Sequence, residues 1–181
     1  MSEEGNMTEL RIATREVIAA SKGIYEEHSG KIFSTMKSLL CISIVAKREG
    51  WQALEKLVNG DEKMLSILEE DMQKCVPEFL ESFPILKRGI YYFINGMDGS
   101  IYLDVLMNKY YAQHYTGLEA YLNILGINML HEMREARKTR IMWILMRSFV
   151  PFEYGDAFDT EVREEGYVKE DVKSTIGLWA R

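Results

Sequence analysis

The chain has 181 residues, of which 47% are hydrophobic and 28% charged, with a net charge of −6 and a pI of about 5.2. That length and apolar content suit one domain with a substantial core and exclude global disorder. The acidic balance argues against a nucleic-acid partner, and two cysteines, Cys41 and Cys75, are too few for a disulfide framework.

Residues 1–12 are acidic and polar and contain no apolar targeting core. The charge-free stretches 38–46 and 120–130 fall well short of the roughly 20 residues that span a bilayer. The expectation is a soluble, cytoplasmic chain with free thiols, Cys41 lying within an apolar run.

Residues 1–6 read as a loose tail, and 7–181 as a single helical domain. A first helix is expected over 8–27, capped by Thr8 and broken at Ser29 and Gly30. A second spans 31–58, with a broad apolar stripe from Ile32 through Leu39, Ile44, Leu54 and Leu57. Gly50 lowers helix propensity within it and marks a close crossing or a kink. Asn59, Gly60 and Asp61 stop that helix and restart the next, an acidic one over 62–75. A fourth is expected over 77–94, kinked or divided at Pro84. Residues 90–94 have high β propensity but lack a partner strand, so they read as buried helix. Asp98 is a good cap for a fifth helix over 99–114. A sixth follows over 118–134, then a basic, Met-rich segment to Phe149 that Pro151 closes, then one or two short helices. The expected fold is an all-α, single-domain bundle of about six to eight helices.

The sequence offers little catalytic chemistry. His28, His114 and His131 are isolated from one another, and no H-E-x-x-H, C-x-x-C or E-x-x-H pattern gathers metal ligands. Asn95 to Gly99 is glycine-rich but lacks the Lys-Ser/Thr of a phosphate loop. No G-x-S-x-G is present, and adjacent carboxylates such as Glu26–Glu27 read as solvated charge. No metal, cofactor or catalytic motif is therefore expected.

Three sites deserve weighing. The decapeptide 46–55, AKREGWQALE, lies in a helical pattern and carries Lys47, Arg48 and Glu55. Arg48 and Glu55 are seven residues apart, which on one helix puts them on one face about 10 Å apart. That is too far for an intrahelical pair, so both charges are available to a protein partner. Tyr91, Tyr92, Tyr102 and Tyr110 recur through 90–121 and are candidate lining of a small-molecule pocket, the alternative being ordinary core. Residues 134–147 are basic first and apolar afterwards, a pattern that suits an anionic membrane surface or a helix entering the core.

The decapeptide resembles the A-R-R-E-G-x-x-A-L-E-like stretch of the MotA family, the flagellar stator proteins related to the TolQ and ExbB proton-channel subunits. A second match follows at Phe79–Leu80 and 87–98, which resembles the family's apolar stretch ending in D-G-x-D, with 100–111 similar to its next amphipathic helix. The resemblance covers 33–131. It implies a protein-interaction module like the cytoplasmic domain of a stator, without the membrane helices and channel. By resemblance, Lys47, Arg48 and Glu55 engage oppositely charged residues of a rotor or membrane-complex partner, as the family's charges engage FliG. The alternatives are a small-molecule sensor or enzyme built on the Tyr-rich stretch and a peripheral membrane protein using 134–147.

Overall fold

The computed structural model describes residues 3–135 and 137–169. The chain is all-α. Its helices, in order, are α1 (Glu3–Ala19), α2 (Ser21–Glu49), α3 (Trp51–Val58), α4 (Glu62–Ser66), α5 (Glu70–Ser82), α6 (Pro84–Ile94), α7 (Gly99–Ala112), α8 (Gly117–Arg134), α9 (Thr139–Ser148) and α10 (Gly155–Glu161). A 3₁₀ turn, Phe152–Tyr154, precedes α10. Among the described residues no strand forms, and one isolated antiparallel bridge joins Leu68 to Val168.

Two helices organise the packing. α8 is buried on nearly every side, from Ala120 to Ile127 and again at Met129, Leu130 and Met133, and it touches α1, α2, α6, α7 and α9. A helix that apolar all round belongs in the middle of a protein. α2 is 29 residues long and packs on α5, α8, α3 and α9. It is also the one described helix long and apolar enough to cross a membrane, and 67% of its apolar window is buried within the fold. Gly126 and Gly89 let α6 lie close to α8. A Cβ on Gly126 would run into the Leu86 side chain, and one on Gly89 would stand 2.8 Å from Leu130 Cδ1.

Helix boundaries follow local chemistry in several places. Asp61 caps α4, its carboxylate accepting from the Lys63 and Met64 amides at 3.0 and 3.1 Å. Pro84 opens α6, where its missing N–H leaves no bond unmade. Residues 90–94 are helical, within α6.

Elsewhere tertiary contacts override the sequence pattern. α1 begins at Glu3, inside the expected tail, and ends at Ala19. α2 then runs through Ser29 and Gly30, bent at His28 (φ −135°, ψ 16°), because Tyr25 on one side of the bend and Ile32 on the other are both fully buried. Pro77 lies inside α5 and does not begin a helix. The expected helix over 62–75 is interrupted at 67–69, where the chain turns outward to meet 167–169. There the Glu69 amide donates to the Tyr167 carbonyl (3.1 Å) and the Lys169 amide to the Ile67 carbonyl (2.8 Å). The expected helix over 31–58 is cut at Gly50. These divisions raise the count to ten α-helices among the described residues, above the expected six to eight. The expected short C-terminal helices correspond to the 3₁₀ turn and α10, while 170–181 lie outside the described residues.

Candidate functional site

The decapeptide does not form one helix. α2 ends at Glu49, and Gly50 adopts φ 81°, ψ −179° while its amide caps the Ala46 carbonyl at 3.1 Å. This is backbone that only glycine enters readily. α3 then starts afresh at Trp51, whose ring meets Phe93 edge-on at 4.2 Å. Lys47 and Arg48 therefore belong to the last turn of α2 and Glu55 to α3. The seven-residue spacing no longer places Arg48 and Glu55 on one helical face, which corrects the geometric basis expected for the pair. All three side chains are nonetheless exposed.

What surrounds Lys47 and Arg48 comes from far along the chain. Ser43 Oγ donates to Met142 Sδ at 2.9 Å, seating α9 against α2. Trp143 Nε1 donates to the Val162 carbonyl at 2.6 Å, and Arg163 pairs with Glu69 at 2.9 Å. Together with the Leu68–Val168 bridge, these contacts lay residues 162–168 beside the end of α2. The result is a cleft of about 300 Å³ lined by Ile44, Lys47, Arg48, Thr139, Glu165 and Val168, with Gly166 at its edge. On the other flank of Lys47, a smaller hollow of about 240 Å³ is bordered by Ser43, Ala46, Trp51 and Met133.

The electrostatics of this end are one-sided. Partial burial, with the Lys138 charge added, holds the Lys47 ammonium below its usual pKa. Among the described residues, neither Lys47 nor Lys138 has a carboxylate within ion-pair distance, and Arg48 makes only a long bond of 3.5 Å from Nη1 to the Val168 carbonyl. Lys138 also precedes α9 without supplying a capping side chain. Sequence reasoning found Lys47 and Arg48 but missed Lys138, Thr139, Glu165 and Val168. The apolar pair Tyr167–Val168 within an otherwise charged stretch was the one available signal that this segment folds back.

The tyrosines lie on α6 and α7 and separate by role. Tyr91 donates to Asn59 Oδ1 at the end of α3. Tyr92 is half-buried against the core. Tyr102 is fully buried, its hydroxyl without a hydrogen-bond partner and its pKa pushed up by burial. Tyr110 packs its ring against Tyr111 and Tyr115 at 5.3 and 6.0 Å. No hydrogen bond joins any two of Tyr91, Tyr92, Tyr102 and Tyr110.

In 134–147, most of the basic charge is neutralised internally. Arg134 pairs with Glu135, Arg137 with Glu132, Arg140 with Glu164 and Arg147 with Asp159. Among the described residues, Lys138 is the cation of this stretch left without an ion pair. Ile141 and Ile144 are exposed on the outer face of α9. No group of His, Cys, Asp or Glu among the described residues could hold a metal ion. No family model, curated protein or solved structure matches the chain.

Proposed function

We propose that this chain is a non-enzymatic, single-domain interaction module, similar to the cytoplasmic domain of a flagellar stator. On this reading it acts in the cytoplasm and docks on a charged protein partner, a rotor or membrane-complex component. Lys47 and Arg48 at the end of α2 meet an acidic patch of the partner, and Glu55 across the Gly50 joint meets a basic one. The observation that carries the reading is the exposure of these three charges without an opposite charge in reach among the described residues. An unpaired surface charge costs little in water and is free to steer an encounter. The buried Cys41 and half-buried Cys75, both free, accord with a reducing compartment.

The other readings draw less support. The candidate tyrosines diverge into separate contacts, and the cations of 134–147 are mostly held by neighbouring carboxylates.

The test is affinity capture from the native host with the wild-type chain, Arg48→Glu and Glu55→Lys. A specific partner should be captured by the wild type and lose about tenfold in affinity for each reversal, with circular dichroism unchanged. Equal capture by all three proteins would dismiss the reading.

A further inference from the structure

The cleft beside Lys47 gives the two cations of the partner reading a concave, partly apolar setting that the partner reading does not use. Lys47 and Arg48, from the last turn of α2, line it together with Thr139, in the first turn of α9, immediately after Lys138. Among the described residues, Glu165 is the lining's one carboxylate. Lys47 and Arg48 against that single acid leave an excess of one positive charge in the lining, and Lys138, just outside it but close enough for its charge to act on Lys47, raises the excess to two. A phosphate monoester carries about −1.5 to −2 at neutral pH and complements that excess, whereas a carboxylate supplies half as much. At about 300 Å³ the cleft lies at the lower end of the range for small-ligand sites, so it accommodates more than a bare anion. Ile44 and Val168 give the remainder of the lining an apolar character. The amides that open α9 add donors on the same side, since Lys138 offers them no capping side chain.

We propose that this cleft binds the phosphoryl group of an organic phosphate monoester, held by Lys47 and Arg48 with its apolar body against Ile44 and Val168. The phosphoryl group belongs either to a soluble metabolite or to a lipid headgroup. The cations that repel one another in the free chain are the ones such a ligand draws together. The inference shares Lys47 and Arg48 with the partner reading and leaves out Glu55, which lies outside the cleft lining.

The probe is phenyl phosphate, titrated into the full chain and followed by calorimetry and by amide shifts in NMR. The expected result is saturable binding at one site, with shifts centred on Thr139 and Gly166. Affinity falls about tenfold in Lys47→Gln and in Arg48→Gln, both exposed positions, and stays unchanged in Glu55→Lys. Glu55→Lys also separates the two ideas, since it should weaken partner capture about tenfold and leave phenyl phosphate binding intact. A second arm uses phosphatidylcholine vesicles with and without phosphatidate. Phosphatidate-dependent capture that phenyl phosphate displaces assigns the lipid source, and saturable phenyl phosphate binding without capture assigns the soluble one. Absence of saturable binding, or undiminished binding in the Lys47→Gln/Arg48→Gln double variant, overturns the proposal.

Discussion

The Tyr25 and Tyr121 hydroxyls stand 3.0 Å apart in the core, and the Tyr121 hydroxyl donates onward to the Phe149 carbonyl at 2.9 Å. Because Tyr121 uses its proton on Phe149, Tyr25 is the donor to Tyr121. The relay ties α2 to α8 and to the chain leaving α9, and the rings meet edge-on at 5.8 Å.

The two tyrosines should therefore differ when truncated. Tyr121→Phe strands both the Tyr25 hydroxyl and the Phe149 carbonyl in the core and should cost about 2–4 kcal/mol. Tyr25→Phe leaves the Tyr121–Phe149 bond intact and should cost about 1 kcal/mol. Urea midpoints of the two variants at equal m-value check the ranking.

Burial raises the pKa of Tyr25, Tyr102 and Tyr121, and pushes Tyr167 up to about 12. A folded-state pKa above the unfolded one gives stability that is complete below the unfolded value of 10.0 and is lost as pH rises toward the folded value. Stability should thus fall steeply above pH 10, and phenolate absorbance of the buried set should appear together with loss of helical circular dichroism. Phenolate formation in a fully folded chain would contradict this.

Gly50→Ala should destabilise by about 1–3 kcal/mol through backbone strain alone. A Cβ there meets nothing within 4 Å, while φ of 81° disfavours any side chain. Thermal denaturation measures the loss. A gain in stability would mean that the joint between α2 and α3 relaxes into one helix.

Gly126→Ala presses a methyl into Leu86 and should cost about 1–3 kcal/mol, despite the better helix propensity of alanine. Leu86→Ala alone opens a cavity and should cost about 2–5 kcal/mol. Combined, the two should cost less than their sum, because each makes room for the other. Strict additivity in denaturant melts would refute the close α6–α8 crossing.

What the sequence made legible was local. The stop and restart at 59–61 and the division at Pro84 act through neighbouring residues, and both appear in the structure. What it hid was remote. Nothing within 62–75 signals that residues 67–69 leave the helix, because their partners are 167–169. The joining of α2 through Ser29 and Gly30 was equally hidden. A helical glycine costs about 1 kcal/mol, and burial of side chains such as Tyr25 and Ile32, each contributing about 1.5–3 kcal/mol, exceeds it. For the candidate site, Lys47 and Arg48 were visible as charges on a motif. Lys138 and Thr139 were not, since only the seating of Met142 on Ser43 brings α9 beside α2. Gly50 read as a crossing or a kink within one helix, whereas its φ of 81° ends α2 outright and separates Arg48 from Glu55.

The clasp between 67–69 and 167–169 closes a span of about a hundred residues with few backbone bonds. Contacts so remote in sequence form late in folding, and a clasp held by few backbone bonds opens more readily than a continuous helix, even with Leu68, Tyr167 and Val168 buried in it. Amide hydrogens at Glu69 and Lys169 should then exchange with solvent far sooner than those of α8, which makes one wall of the basic cleft the most readily loosened part of the packed chain.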